Sequence, residues 1–169
     1  MSGNNQRKVP GLTINQVSAA LIKGTNKSYT TTVTTQCVIN GKFATALTAQ
    51  TNQAVPTTDH ATGAAFVAQT DDTACCYVMG INAAGTIKAV QGPIVPTEVG
   101  VTTTAGAFRD APPFPTQLPD DFCPLAYTIV RTAPSASSWT FGTDNWAATG
   151  VTTLEFVNVA TLPDRPQIA

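Results

Sequence analysis

The clearest fold signal is a hairpin pattern, YTTTVTTQCVINGKFATALTA, which occupies residues 29–49. Residues 29–39 are rich in β-branched side chains, which are stiff at χ1 and suit a pleated strand. Asn40-Gly41 is the pair that a type I′ turn prefers, because it needs positive φ at both central positions. We therefore predict two antiparallel strands with Val38 opposite Phe43.

Further strand signals follow along the chain, at residues 64–69, 74–81, 86–91, 125–131 and 151–159. The turn-rich residues 82–85 join two of these runs into a second hairpin. No internal repeat is present, which disfavours solenoids and propellers. The prediction is a mainly β fold, namely an antiparallel β-sandwich or barrel.

Residues 13–24 carry the signals of one short N-terminal helix. Thr13 and Gln16 have the spacing of a capping box. The apolar residues at positions 14, 17 and 21 recur at helical spacing, and Gly24 stands where such a helix would end.

Both ends of the chain have the composition of extended arms. Residues 1–12 are polar and include Pro10-Gly11, and residues 162–169 contain two prolines. We predict an N-terminal arm at 1–12, a single β-rich domain at 13–161 and a C-terminal tail at 162–169. In the N-terminal arm, Arg7 and Lys8 are candidate partner-binding residues, because a polar segment without an apolar face gains its ordering energy from a partner.

A proline-rich segment at residues 105–124 separates the middle strands. Proline cannot donate to a sheet ladder, so an extended loop is expected here. Long loops in small domains often bind partners, which makes Arg109 a further candidate.

The composition favours a protein that works through its surfaces. Only 11% of residues are charged, against about 25% in a typical soluble domain, and 29 residues are threonine. So few charges suit a surface covered by neighbouring molecules. A durable extracellular β protein has the same composition, so both interpretations stay open.

The net charge of −1 conceals an uneven distribution. Residues 1–58 contain five bases and no acid, whereas residues 59–169 contain ten acids and four bases. Opposite ends of two copies could therefore attract each other, unless the fold mixes the halves. The bases are scattered without interleaved aromatics, which argues against direct nucleic-acid binding.

The first residues are polar and resemble no signal peptide, and no run is long enough to span a membrane. We therefore expect synthesis in a host cytoplasm and no membrane partner. The cysteines at 37, 75, 76 and 123 match no zinc or redox motif, and three of them lie in strand-like runs. They are predicted to be buried, reduced and unpaired.

Catalytic signals are sparse. His60 is the only histidine, so any serine or cysteine triad must use it, and a dyad with a distant serine or Cys123 stays open. A lone loop histidine is more often a surface residue, so no enzyme is predicted. Asp120-Asp121 could supply oxygens to calcium, but adjacent carboxylates in an extended chain point apart. No metal, cofactor or small-molecule substrate is expected.

Three aromatic residues lie close together near the C-terminus: Trp139, Phe141 and Trp146. Such residues anchor interfaces when exposed, so they are candidates for partner binding. The favoured alternative is that they fill the end of the β-structure, with the indole nitrogens bonded to backbone carbonyls.

The C-terminal strands resemble those of a known protein class. The runs CPLAYTIV at 123–130, WTFGTD at 139–144 and Gly150-Val151, with the strand TIKAVQG at 86–92, are similar to small head-module proteins of tailed bacteriophages. The resemblance implies a capsid decoration, or cement, protein on the outside of the virion. It also implies binding to the major capsid protein and self-association as a trimer or dimer, but it assigns no binding residue.

The function expected from the sequence is therefore structural, by decorating and stabilising a capsid through bridges between coat subunits. A tail-tube or tail-fibre protein is one alternative, and an extracellular adhesin or pilin-like module is another.

Overall fold

The computed structural model describes residues 11–136 and 138–167. These residues form three antiparallel sheets, with a single 3-10 turn at Pro134–Ala136 as the helical content of the described part. The strands are β1 (Ile14–Asn15), β2 (Leu21–Lys23), β3 (Ser28–Thr31), β4 (Cys37–Ile39), β5 (Lys42–Phe43), β6 (Gln50–Ala54), β7 (Thr73–Asn82), β8 (Ile87–Gln91), β9 (Val95–Pro96), β10 (Phe122–Thr132), β11 (Val151–Thr153) and β12 (Val157–Asn158). The predicted mainly β class is confirmed, and the arrangement is consistent with a β-sandwich.

The largest sheet is built on β7 and β10, which pair along almost their whole length. Strand β8 flanks β7, and β11 and β12 both pair with β10. Two smaller sheets come from the N-terminal third, in the orders β1-β4-β5 and β2-β3-β6. The second predicted hairpin, which turns at residues 82–85, is confirmed, since β7 and β8 pair antiparallel on either side of that turn.

The large sheet is buried on both faces. Successive residues of β7 alternate between two cores: Cys75, Tyr77 and Met79 face one, while Cys76 and Val78 face the other. This alternation is the two-residue period of a strand. The first core also contains side chains of the N-terminal strands, so it joins all three sheets.

The second core is covered by irregular segments. Phe108, Phe114 and Leu118 of the proline-rich loop pack against it, as do Leu154 and Leu162 near the C-terminus. In the tail, the amide of Gln167 donates to the hydroxyl oxygen of Tyr127 at 2.9 Å. The loop thus acts as a covering layer of the domain.

The N-terminal helix prediction is wrong. Residues 13–24 form β1 and β2 instead, with Ala20 between them at φ 45°, a conformation that interrupts a helix. Distant partners decide the outcome: Asn15 pairs with Cys37, and the amide and carbonyl of Leu21 both bond to the side chain of Asn158. Tertiary hydrogen bonds outweigh the weak local preference for helix.

The first hairpin is confirmed at its turn, since Val38 lies opposite Phe43. Asn40 and Gly41 both have positive φ, at 50° and 76°, as the type I′ turn requires. However, residues 29–39 are not one strand, because β3 and β4 belong to different sheets.

Three further boundaries differ from the predictions. Residues 64–69 contribute only isolated bridges, and residues 151–159 divide into β11 and β12. The proline-rich loop ends before Phe122, so Pro124 lies inside β10, opposite Gly80. The strand tolerates this proline because its register shifts between Pro124 and Ala126, and a bulge needs no regular donor there.

None of the helical segments in the described ranges has the length and apolar character needed to cross a membrane.

Candidate functional site: an apolar sheet edge

An exposed apolar surface lies on the sheet of β1, β4 and β5. Ile14, Val38 and Phe43 are direct cross-strand neighbours, so their side chains share one face. Leu12 lies beside the turn, where its carbonyl accepts a hydrogen bond from the amide of Gly41. Phe43 is 73% exposed and Leu12 is 63% exposed, whereas Ile14 is half-buried and Val38 is buried, at 9% exposure. We call these four residues the apolar edge.

The backbone of β5 adds binding capacity to this surface. The amide of Ala44 donates to the carbonyl of Cys37, which makes these two residues a hydrogen-bonded pair. Since such pairs alternate with non-bonded ones, the amide and carbonyl of Phe43 point away from β4. Strand β5 is also last in its sheet among the described residues, but two residues beyond Phe43 the amide of Thr45 already donates to the carbonyl of Ala83. The part of this edge that offers backbone groups and an aromatic ring to another chain is therefore Phe43.

A shallow hollow of about 290 Å³ adjoins Phe43. Lys42 lines it on one side, and Asp120 and Asp121 line it on the other. The side-chain amide of Asn40 donates to the carbonyl of Asp120 at 2.8 Å, which holds the acidic loop against the turn. The apolar edge therefore has charges of both signs at its rim, the usual arrangement of an interface.

His60 has a structural partner. Its Nε2 lies 3.0 Å from Oδ1 of Asp121, and its ring lies 6.0 Å from that of Phe122. Within the described residues, no serine, threonine or cysteine side chain hydrogen-bonds to the imidazole. Through its contact with Asp121 the histidine joins two loops.

Metal-ligating side chains do not gather at the acidic loop. Across residues 11–136 and 138–167, no group of three or more His, Cys, Asp or Glu side chains could hold a metal ion. Asp121 instead contacts His60, and the carbonyl of Asp120 accepts from Asn40.

All four cysteines are buried as free thiols. Burial raises the pKa of the Cys75 thiol to about 12, although hydrogen bonds to Tyr77, Gln91 and Gly92 oppose this shift. Burial likewise raises the pKa of Cys76, whereas a hydrogen bond with Cys37 is the main cause that raises the pKa of Cys123. Cys75, Cys76 and Cys123 thus stay protonated at neutral pH, which makes them poor nucleophiles.

The aromatic candidates Trp139, Phe141 and Trp146 all lie in the first core. Phe141 stacks on Tyr77 with ring centroids 4.5 Å apart. The indole nitrogens of Trp139 and Trp146 donate to the carbonyls of Asn145 and Ser28. These side chains are inaccessible to a partner, so the structure supports the packing interpretation.

The basic candidates have different locations. Arg7 and Lys8 lie outside the described residues, and their role stays a prediction. Arg109 is exposed and lines a broad hollow together with Arg165 and Asp164. It is remote in sequence from the apolar edge and lines none of the edge hollow.

Neither Phe43 nor Leu12 is among the site residues predicted from the sequence. A signal for Phe43 was present, because a residue opposite Val38 on a predicted hairpin shares its face. The sequence does not show that this hairpin ends a small three-stranded sheet. Comparison with protein-family models, curated proteins and solved structures found no match to this chain.

Proposed function

We propose that this protein is a structural virion protein that decorates and stabilises a bacteriophage capsid by bridging neighbouring coat subunits. The observation that carries the proposal is the apolar edge, where Phe43 stands 73% exposed beside outward-pointing backbone groups. An exposed aromatic ring on an open strand edge is an aggregation hazard unless a partner covers it.

The low charge supports the same function. With 11% charged residues, the surface has little electrostatic repulsion to keep copies and partners apart. The resemblance of residues 86–92, 123–130, 139–144 and 150–151 to head-module proteins supplies the class of partner, the major capsid protein.

The mechanism is linkage between binding and assembly. A protein that binds only the assembled arrangement of coat subunits stabilises that arrangement over the separated subunits. A specific interface buries about 800 Å² per partner, so the apolar edge would be its centre and the charged hollow part of its rim. Repetition over a shell multiplies a modest contact energy.

The direct test is sedimentation with empty particles assembled from the coat protein of the same phage. We expect Phe43→Asp to weaken particle binding at least tenfold, because it places a charge at the centre of an apolar contact. Its free energy of unfolding should change by less than about 0.5 kcal/mol, since the ring is exposed.

Val99→Asp is the matched control, because Val99 is 75% exposed in the loop after β9 and lies outside the apolar edge. Equal losses in the two variants would contradict the role of the edge. Failure of the unmodified protein to bind any particle would overturn the capsid proposal. Binding to purified tail tubes instead would establish the tail-protein alternative.

A further inference from the structure

A second concave site lies on another part of the molecule, at the end of β8. It is a pocket of about 520 Å³ between the loop after Asp59, the segment after Gln91 and the proline-rich loop. Its lining includes Asp59, Val67, Val90, Gln91, Ile94 and Pro115. We call it the Asp59 pocket.

Asp59 is the one charged residue of this lining, and it is only 8% exposed. Its Oδ1 accepts a hydrogen bond from the amide of Ala61 at 2.8 Å. In the part of the chain that the structure describes, no lysine, arginine or histidine nitrogen lies within salt-bridge distance of its carboxylate. Buried carboxylates are rarely left without a cation, because desolvation of the charge is costly.

Much of the pocket wall is apolar, while Thr62, Thr116 and Gln117 bring polar side chains to it. Val67, Val90 and Ile94 supply aliphatic surface, and Pro93 and Pro115 have no amide hydrogen. The side chain of Gln91 is already used, since it both donates to and accepts from the backbone of Val67. The pocket therefore suits a ligand with an apolar stem and a donor-rich cationic end.

We infer that the Asp59 pocket binds the side chain of a lysine or arginine from a protein partner. Both side chains have an aliphatic stem that can pack on the apolar walls and a cationic head that has donors and no acceptor. A protein side chain fits better than a free amine because the mouth of the pocket opens onto an exposed surface. Val67 is 65% exposed there, and Thr62, Thr116 and Gln117 are exposed around it. A partner backbone can lie across this rim while one side chain enters.

This inference goes beyond the proposed function, because the pocket shares no residue with the apolar edge and requires no particular partner. It is tested with the free protein by NMR titration of backbone amides. The probes are N-acetyl-L-arginine N-methylamide, its lysine counterpart, and N-acetyl-L-citrulline N-methylamide, which replaces the guanidinium with a neutral urea of the same shape. We expect saturable shifts at Ala61, Gln91 and Gln117 with a cationic probe, and at least tenfold weaker binding of citrulline.

Asp59→Asn removes the charge and keeps an oxygen that can accept from the amide of Ala61, so the loop conformation should persist. We expect it to weaken binding of the cationic probe at least tenfold. Asp72→Asn is the matched control, because Asp72 also accepts from a backbone amide, that of Gly100, but lies outside the pocket. It should leave binding unchanged.

A second variant gives a test that does not depend on correct folding of Asp59→Asn. Val67→Lys adds a cation at the exposed rim and should also abolish probe binding, whereas Val99→Lys, at a residue that is 75% exposed outside the pocket, should not. Equal binding of the arginine and citrulline probes, or no shifts at the pocket, would overturn the inference. Binding of n-butylguanidinium without binding of either amino-acid amide would overturn the assignment to a protein side chain.

Discussion

Two regions of this protein are built on different principles. In β7, eight consecutive residues are buried, whereas four of the five residues of β6 are exposed. The central sheet packs on both faces, while the two N-terminal sheets consist of strands of two to five residues. The central sheet buries apolar side chains on both faces, whereas the N-terminal sheets bury theirs, such as Leu21 and Cys37, only in the core that they share with it, so their stability depends on attachment to the central sheet.

Side chains make that attachment. The side chain of Asn158 on β12 accepts from the amide of Leu21 at 2.7 Å and donates to its carbonyl at 3.0 Å, which imitates a strand pairing. The ammonium group of Lys23 donates to the carbonyl and hydroxyl oxygens of Thr153. The sheet β1-β4-β5, which carries the apolar edge, is attached separately, since the amide of Asn15 donates to the carbonyl of Ala160. The surface proposed for capsid binding thus lies in the peripheral region, where a partner has the most to stabilise.

The largest effect should come from the central core. Trp139 is fully buried and packs edge-on against Tyr77 and Phe141. We expect Trp139→Ala to lower the free energy of unfolding by about 3–5 kcal/mol, measured by urea denaturation. A loss below about 1 kcal/mol would show that the aromatic cluster is dispensable and that the contrast between the regions is wrong.

An intermediate effect should come from the junction. Asn158→Ala leaves the buried amide and carbonyl of Leu21 without partners, which should cost about 1–3 kcal/mol. Hydrogen exchange should increase in β2 and β3 and remain slow in β7 and β10, because only the peripheral sheet loses its attachment. Equal acceleration in both regions would mean that they unfold as one unit and would remove the distinction.

A smaller effect at moderately alkaline pH should come from a single core thiol. Burial raises the pKa of Cys75 from 9.0 to about 12, so the unfolded chain releases this proton first as pH rises. The contribution of the Cys75 thiol to the free energy of unfolding is complete below pH 9. It is lost between pH 9 and 12, at about 1.4 kcal/mol per pH unit at most.

We therefore expect the stability of Cys75→Ala to fall less steeply than that of the unmodified protein between pH 9 and 11, in urea titrations at each pH. The pH dependence that Lys23 in the peripheral sheet adds to the free energy of unfolding has the opposite sign. Burial lowers the pKa of Lys23 below 10.5, so its contribution to stability grows as pH rises towards that value. Parallel stability curves for the variant and the unmodified protein would contradict the assignment to Cys75.

Patterns within one strand or turn were readable from the sequence. The apolar runs of β7 and β10 and the turn at Asn40-Gly41 are local features, and they were predicted correctly. The helix at 13–24 was predicted wrongly, because the capping and spacing signals there are weak and the hydrogen bonds that overrule them come from residues more than 20 positions away. Pro124 was assigned to a loop, because the register shift that follows it, between Pro124 and Ala126, arises only when β10 pairs with β7.

For the candidate sites, too, only local features could be predicted from the sequence. Sequence alone determined a charge-poor, threonine-rich β protein with a hairpin turn at Asn40-Gly41, since composition and turn chemistry are properties of the chain itself. Only the tertiary structure decided that Trp139 is core while Phe43 is surface, and that Asp59 is buried without a cation among the described residues. Exposure is a relation between distant segments, so it is established only when those segments pack together.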